Sequence, residues 1–150
     1  MSTIHKIKVS KIIKETEDCV SVSFDIPSDL HKLFSYIPGQ YLTLEADIDG
    51  EKVRRSYSLC SAPHENKWKV AVKKVPQGKF STYANDVLKA GDEVNVMSPM
   101  GNFKLQCNAE NDNHYVSFAA GSGITPMLSM IKEVMETEPM SQFTLFYGNK

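Results

Sequence analysis

Residues 41–60, YLTLEADIDGEKVRRSYSLC, contain two strand-forming segments joined by a tight turn. The first segment, residues 41–46, follows the turn signal Pro38-Gly39 and is rich in residues that favour strands. Asp49-Gly50 is a strong signal for a two-residue hairpin turn. Residues 53–60 are then expected to form the returning strand. The stretch therefore predicts an antiparallel β-hairpin.

Further strands are predicted on both sides of this hairpin, because short apolar or alternating runs end at proline or glycine signals. A helix is also expected before the last strand, with Ser81 as its cap, residues 82–88 as its body and Gly91 at its end. Short strands with frequent turns and one helix favour a small all-β antiparallel barrel. The additional strands are predicted at residues 4–13, 20–26, 68–75 and 93–97.

The last third of the sequence has a different pattern. After the polar stretch 108–113 come an apolar strand, a glycine-rich turn, a helix and a second strand, which together make one βαβ unit. These elements are expected at residues 115–119, 121–126, 127–136 and 143–147. We therefore predict three parts: a barrel domain at 1–107, a linker at 108–113 and an incomplete α/β, Rossmann-like domain at 114–150.

A lone βαβ unit cannot cover both faces of a parallel sheet. The chain is therefore expected to stop inside a domain. An unpaired strand edge near residues 143–147 would also favour self-association with other copies of the chain.

Composition narrows the classes of function. The chain has 150 residues and a net charge of -1, which gives no reason to expect nucleic acid as a partner. No apolar run reaches the length of a membrane helix, and the first residues lack a signal-peptide core, so a cytoplasmic location is expected. The three cysteines and four histidines have no metal-ligand spacing, and no metal site is predicted.

The densest chemical signal is the segment 54–58, Arg-Arg-Ser-Tyr-Ser. A guanidinium pairs through two donors with phosphate oxygens, and a tyrosine offers a flat face for a flavin ring. On a strand Arg55 and Tyr57 point the same way, so one face can hold a diphosphate and a ring together. The Ser58 hydroxyl would then reach the ring edge near N5. The alternative is an exposed strand whose tyrosine packs on the core.

Two glycine turns are further candidates. Gly78 permits close backbone approach, and Ser81 stands at the predicted helix start, where free N–H groups bind phosphate. In residues 121–126, GSGITP, the glycines permit approach of a pyrophosphate, Thr125 is expected to cap the helix, and Pro126 suits its first position. The alternatives are an ordinary helix cap and an ordinary βα turn.

In order along the chain, the segments 55–58 (RSYS), 78–81 (GKFS), 99–103 (PMGNF) and 121–126 (GSGITP) resemble the ferredoxin–NADP⁺ reductase superfamily. Essentially the whole chain is covered. The segments 38–44, 53–63 and 73–82 are most similar to the reductases that serve phenylacetyl-CoA oxygenases (epoxidases). Reductase domains of flavohaemoglobins and of aromatic-ring hydroxylases are also similar.

The resemblance implies an FAD-binding six-stranded barrel followed by an NAD(P)-binding α/β domain, with Tyr57 and Ser58 as the catalytic residues beside the flavin. It implies a further set of contacts to the cofactors. These are Arg55 at the FAD pyrophosphate, Ser56 as a further cofactor-binding residue, Val72 and Lys74 at the pyrimidine end of the flavin largely through their backbone, Gly78, Lys79, Phe80 and Ser81 at the pyrophosphate, Thr125 near the flavin, and Gly121 and Gly123 near the NAD(P) pyrophosphate.

The function implied by the resemblance is hydride transfer from NAD(P)H to FAD, followed by single-electron transfer to an iron–sulfur centre that serves an oxygenase. A [2Fe–2S] centre is expected only in sequence outside this chain. One alternative is a flavin-binding module without turnover of its own, completed by further sequence or by a partner. Another is the reductase domain of a flavohaemoglobin-like or aromatic-ring hydroxylase system. Selection between NADH and NADPH would involve residues at the end of the chain, Asn149-Lys150.

Overall fold

The computed structural model describes residues 3–149 and contains eight strands and two α-helices in that range. Lys150, one of the two terminal residues considered for selection between NADH and NADPH, lies outside the described residues. Three 3₁₀ turns accompany these elements, at Ser28–Leu30, Pro63–Glu65 and Gly121–Gly123. In chain order the strands and helices are β1 (Ile4–Thr16), β2 (Cys19–Asp25), β3 (Tyr41–Ile48), β4 (Glu51–Ser58), β5 (Trp68–Lys73), α1 (Lys79–Asp86), β6 (Glu93–Met100), β7 (His114–Ala120), α2 (Ile124–Thr137) and β8 (Gln142–Gly148).

Strands β1 to β6 form one antiparallel sheet in the order β4-β3-β6-β1-β2-β5. A bridge between Leu59 and Val70 brings the end of β4 to β5, so the two edge strands meet and the sheet curves into a barrel. The predicted hairpin is present, with φ of +53° at Asp49 and +76° at Gly50. Both values are positive, as a type I′ hairpin turn requires. The predicted six-stranded antiparallel barrel is confirmed.

The barrel is filled by inward-facing side chains from all six strands and from α1. Alternation along β5 illustrates the pattern, since Trp68, Val70 and Val72 are buried. Phe80 of α1 is also buried and plugs the barrel beside these residues. Burying such side chains is worth about 1.5–3 kcal/mol each, which makes this cluster the main stabilising feature of the fold.

Helix α1 begins earlier than the sequence predicts. Gly78 precedes its first residue, and Ser81 lies inside the helix. The Ser81 hydroxyl donates to the Gly78 carbonyl and accepts the Val75 N–H, both at 3.2 Å, so it closes the preceding turn instead of capping the helix. The prediction of Ser81 as the cap was wrong. Gly91 does not end the helix either, since the helix ends at Asp86 and Gly91 lies with φ +95° in the turn before β6.

The βαβ unit is present as predicted, with β7 and β8 parallel and α2 between them in the chain. The start of its helix differs from the prediction. The 3₁₀ turn Gly121–Gly123 already turns the chain into the helical direction, so Gly123 precedes α2 and Pro126 is its third residue. The expected cap, Thr125, is its second residue and donates its hydroxyl to the Ser122 carbonyl at 3.0 Å.

Residues 101–113 contain no helix or strand and lead from the barrel to β7. The buried carboxylate of Glu138 holds this segment: it accepts hydrogen bonds from the Asn108 N–H at 3.1 Å and from the Asn111 side chain at 2.8 Å. Ser141 and Tyr115 donate to the same carboxylate at 2.7 and 3.0 Å. The predicted domain boundaries at 107/108 and 113/114 remain predictions.

One face of the β7–β8 pair packs against α2, through residues such as Val134. Phe118 and Phe146 are 73% and 54% exposed and stack on each other with ring centroids 4.9 Å apart. An exposed aromatic pair on a short sheet is a surface that other chains can contact. Self-association through this region remains a prediction.

Candidate functional site

A cleft of about 520 Å³ lies between the barrel and the start of α2. One wall is formed by β4, β5 and the turn into α1, and the other by the glycine turn before α2. The lining residues are Arg55, Ser56, Tyr57, Ser58, Ala71, Lys73, Val75, Gly78, Lys79, Phe80, Ser81, Ser122, Gly123, Thr125 and Pro126. The structure thus brings together residues from the three segments that the sequence analysis gave as binding candidates, 54–58, 78–81 and 121–126.

Arg55 and Tyr57 occupy the barrel wall of this cleft. Tyr57 is half-buried and its ring packs against Phe80, with centroids 5.7 Å apart. Burial raises the pKa of the Tyr57 phenol, an effect that the nearby Arg55 guanidinium partly offsets, so the hydroxyl is neutral at physiological pH. Arg55 is exposed, and its guanidinium donates to the Arg54 carbonyl at 2.7 Å. The wall therefore offers a cation beside a flat aromatic face.

The adjacent Arg54 makes a different contact. Its guanidinium donates to Glu45 on the neighbouring strand at 2.6 Å, and Glu45 also accepts from Asn95 at 3.2 Å. The hydrogen bond from Arg54 is the main reason that the pKa of Glu45 lies below its ordinary value. Arg54 thus belongs to an ion pair within the sheet, and Arg55 is the arginine that lines the cleft.

The turn into α1 supplies backbone groups to the cleft. A Cβ added to Gly78 would lie 2.3 Å from the Ser81 hydroxyl oxygen and 2.5 Å from a Val75 methyl, so only glycine fits there without rearrangement. The first N–H groups of a helix lack partners within it, and Lys79 adds a positive charge at this end. Lys79 is paired with Glu51 across the turn.

The expected backbone contacts of Val72 and Lys74 with the flavin remain a prediction, and the structure places the side chains of both residues away from the cleft. Val72 is fully buried in the barrel core, and Lys74 pairs with Asp86. Neither residue lines the cleft, which instead receives their neighbours Ala71, Lys73 and Val75. Strand alternation is the cause, because a β5 that buries residues 68, 70 and 72 must present residues 71 and 73 on its other face. The alternation of Trp68, Val70 and Val72 in the sequence already indicates which β5 side chains face the core.

The glycine turn before α2 contributes to two neighbouring spaces. Gly123, Thr125 and Ser122 line the main cleft. Gly121 lines an adjoining space of about 350 Å³ instead, together with Tyr147 and Asn149 at the end of β8. Gly121 has φ +51°, and its carbonyl accepts a hydrogen bond from the Tyr147 hydroxyl at 3.2 Å. The two glycines therefore face different parts of the same groove.

Histidines and cysteines lie away from the main cleft throughout residues 3–149. Burial raises the pKa of the Cys60 thiol, which keeps it protonated and unreactive. Within the same range, no group of three or more His, Cys, Asp or Glu side chains is arranged to hold a metal ion. Among the described helices, none is both long and apolar enough to cross a membrane.

An antiparallel barrel that shares a cleft with the glycine turn of a βαβ unit defines the class of flavin- and nucleotide-binding oxidoreductases. Residues 6–105 match the family described as oxidoreductase FAD-binding domain, and residues 118–150 match the oxidoreductase NAD-binding domain. The chain belongs to this family of FAD-binding oxidoreductases. The predictions of the family and of FAD- and NAD-binding domains of the oxidoreductase type are thereby confirmed.

Among curated proteins, the chain is 45% identical over 150 residues to one of the subunits of the 1,2-phenylacetyl-CoA epoxidase of Escherichia coli (strain K12), and the match covers all of this chain and 42% of that protein. It is 36% identical over 132 residues to a flavohemoprotein of Pseudomonas aeruginosa, covering 88% of this chain and 33% of that protein. The chain thus spans less than half the length of these relatives.

Among solved structures, phthalate dioxygenase reductase superposes with a TM-score of 0.80 at 30% identity, over 98% of this chain and 44% of that one. That protein is described as a modular structure for electron transfer from pyridine nucleotides to [2Fe–2S]. The flavohem-like FAD/NAD binding domain of nitric oxide dioxygenase from Vibrio cholerae superposes with a TM-score of 0.83 at 25% identity, over 100% of this chain and 64% of that one.

Proposed function

We propose that this chain is the flavin-binding part of an NAD(P)H-dependent reductase that delivers electrons to an iron–sulfur centre serving an oxygenase. An oxygenase acting on phenylacetyl-CoA is the favoured partner, because the E. coli relative belongs to such an epoxidase. The phthalate dioxygenase reductase, which carries electrons to [2Fe–2S], supports an iron–sulfur acceptor.

A single observation carries the proposal: one cleft has Arg55 and Tyr57 on its barrel wall and Gly123 and Thr125 on its opposite wall. FAD has a flat ring and a diphosphate, which match an aromatic face beside a guanidinium. The glycine turn faces that wall across the same opening. An electron donor bound at the turn would thus lie next to a flavin bound on the barrel.

The residues of this chain bind and orient the two cofactors. Arg55 and the backbone around Gly78, Lys79, Phe80 and Ser81 hold the pyrophosphate, and Lys73 adds positive charge nearby. Tyr57 covers one face of the ring, while Ser56 and Ser58 place backbone and hydroxyl groups at its edge. Gly121, Gly123 and Thr125 receive the nucleotide. When bound, the flavin supplies hydride acceptance and the release of electrons one at a time.

Reconstitution tests the proposal. The purified chain is incubated with excess FAD and dialysed, and its visible absorption and flavin fluorescence are then recorded. We expect a shifted flavin spectrum and quenched fluorescence at a stoichiometry near one FAD per chain. A chain that retains no flavin at micromolar concentration contradicts the proposal. Titration with NADH and with NADPH, followed by bleaching of the flavin absorbance, identifies the preferred donor.

A second candidate is the reductase module of a haem-containing protein. The 36% identity to the P. aeruginosa flavohemoprotein favours it. The two candidates differ in the acceptor, so the FAD-loaded chain is mixed with a [2Fe–2S] protein or with a globin after anaerobic reduction. Faster electron transfer to the iron–sulfur protein supports the oxygenase system. Faster transfer to the globin supports the reductase module of a haem protein. A flavin that stays oxidised with both NADH and NADPH supports a flavin-binding module without turnover.

A further inference from the structure

Two pairs of polar side chains connect the loop after β4 to helix α2. The His64 ring nitrogen Nδ1 lies 2.7 Å from Glu133 Oε2, and the His64 backbone N–H donates to the same oxygen at 3.2 Å. Next to this contact, Lys132 Nζ donates to Glu65 Oε2 at 3.1 Å. In one pair the acidic group belongs to the helix, and in the other it belongs to the loop. We call these four residues the latch.

The loop side of the latch is itself held in place. His64 and Glu65 lie in the 3₁₀ turn that begins at Pro63, whose ring restricts the backbone. Glu65 Oε2, which receives Lys132, also accepts the Ala62 N–H at 2.7 Å, so one carboxylate fixes the turn and contacts the helix. The Glu133 side chain is 15% exposed, and it makes two contacts to one residue of the turn. The latch therefore joins α2 to a turn that is itself held by backbone contacts.

Both sides of the latch, the turn Pro63–Glu65 and helix α2, are connected through the chain to residues that line the cleft. On the barrel side, only a few buried residues separate Ser58, which lines the cleft, from the turn that carries His64. On the helix side, Thr125 lines the cleft and Glu133 lies eight residues further along, about 12 Å at 1.5 Å per residue. A small rotation of α2 about the latch therefore moves Thr125 and Gly123 relative to Tyr57.

We propose that His64, Glu65, Lys132 and Glu133 are positioning residues that set the separation between the two walls of the cleft. The inference rests on the proposed function, because it takes this cleft as the place where flavin and nicotinamide meet. Both pairs join one turn to one helix, so the expected effect of the latch is on the local stability and position of α2. Productive transfer depends on holding the reactants in one geometry.

Hydrogen exchange in the flavin-free and FAD-loaded chain tests the placement of α2. The variants are His64→Ala, Glu133→Ala and their double mutant, with Glu136→Ala as the control, since Glu136 is an exposed glutamate on the same helix. We expect five- to tenfold faster exchange in α2 for both single variants, no further increase in the double mutant, and unchanged exchange in β1 and β6. Glu133→Gln, which keeps an oxygen acceptor, should recover most of the protection. Exchange in α2 equal to that of Glu136→Ala would overturn the latch.

A second readout separates positioning from general destabilisation. FAD affinity should stay within threefold in Glu133→Ala, while flavin reduction at saturating NADH falls severalfold. A proportional loss of FAD affinity would overturn the positioning role, because the barrel itself would then be disturbed. If the unaltered chain binds no FAD, the proposed function fails. The exchange comparison in the flavin-free chain still decides whether the latch holds α2.

Discussion

Arg54 and Arg55 are consecutive in β4 and project from opposite faces of the strand. Arg54 pairs with Glu45 on β3, and Arg55 lines the cleft beside Tyr57. The side-chain period of two in a strand produces this division. Two adjacent arginines of the same charge therefore have separable roles, one in the sheet and one in ligand binding.

Replacing Arg55 with alanine should weaken FAD binding much more than replacing Arg54. Loss of a hydrogen bond to a charged group costs about 1.5–3 kcal/mol, so the Kd for FAD should rise by roughly ten- to a hundredfold. Fluorescence titration of both variants measures the difference. In urea unfolding Arg54→Ala should lower the free energy of unfolding more than Arg55→Ala, because it removes the cation from a nearly buried Glu45. Equal losses of FAD affinity in the two variants would contradict the assignment of Arg55 as the arginine that binds FAD.

Acid should destabilise the fold through Glu138. Burial by itself raises the pKa of this carboxyl, but hydrogen bonds from Ser141, Asn111, the Asn108 N–H and Tyr115 outweigh it and lower the pKa below its ordinary value of 4.5. A depressed folded-state pKa means that the stabilisation is present above the ordinary pKa and is lost as the pH falls through the folded pKa.

The matched variants for this prediction are Glu138→Gln and, as a control, Glu136→Gln at an exposed position in the last turn of α2. Glu138→Gln should lower the free energy of unfolding by about 1–3 kcal/mol at neutral pH. It should also flatten the loss of stability below pH 4.5 relative to the unaltered chain. Urea unfolding across this range measures both effects. The same acid dependence in Glu138→Gln and in the unaltered chain would place the responsible carboxylate elsewhere.

Gly39 and Gly91 offer a matched test of crowding between the barrel and α2. Their φ angles are +100° and +95°, so alanine is similarly strained at both, by about 1–2 kcal/mol. A Cβ at Gly39 would also lie 2.3 Å from the Phe103 carbonyl oxygen and 2.5 Å from the Met130 methyl, whereas the space beside Gly91 is open. Gly39→Ala should therefore destabilise the chain by about 1–3 kcal/mol more than Gly91→Ala. Equal midpoints in thermal unfolding would contradict this contact.

The barrel was predictable because each strand combines local signals that agree with one another. Alternation and the Asp49-Gly50 turn define the hairpin, and the same alternation separates Arg55 from Arg54. The start of α1 was not predictable from Ser81, because its hydroxyl bonds to Val75 and Gly78 in a turn that only the folded chain creates. Glu138 also lacked a local signal: its partners Asn108 and Asn111 are 30 and 27 residues away in the sequence.

Two adjacent lysines at the end of β5 project in different directions. Lys73 lines the cleft and lies 3.7 Å from Asp18, an exposed contact that leaves the ammonium close to any bound anion. Lys74 projects from the other face, where it pairs with Asp86. Both ion pairs are exposed, so neither lysine should matter much for stability. Their effects on an anionic ligand should differ, because only Lys73 faces the cleft.

Lys73→Ala should weaken FAD binding by about 1 kcal/mol, roughly fivefold in Kd, while Lys74→Ala should leave it within twofold. The effect of Lys73 should shrink as salt is added, since the contact is exposed and screened. Isothermal titration of FAD into both variants at low and at moderate salt measures these differences. A larger effect from Lys74→Ala would show that the side chain of Lys74, and not that of Lys73, contacts the ligand. Unchanged affinity in both variants would mean that β5 contacts the cofactor through its backbone alone, because an alanine side chain leaves the main-chain groups in place.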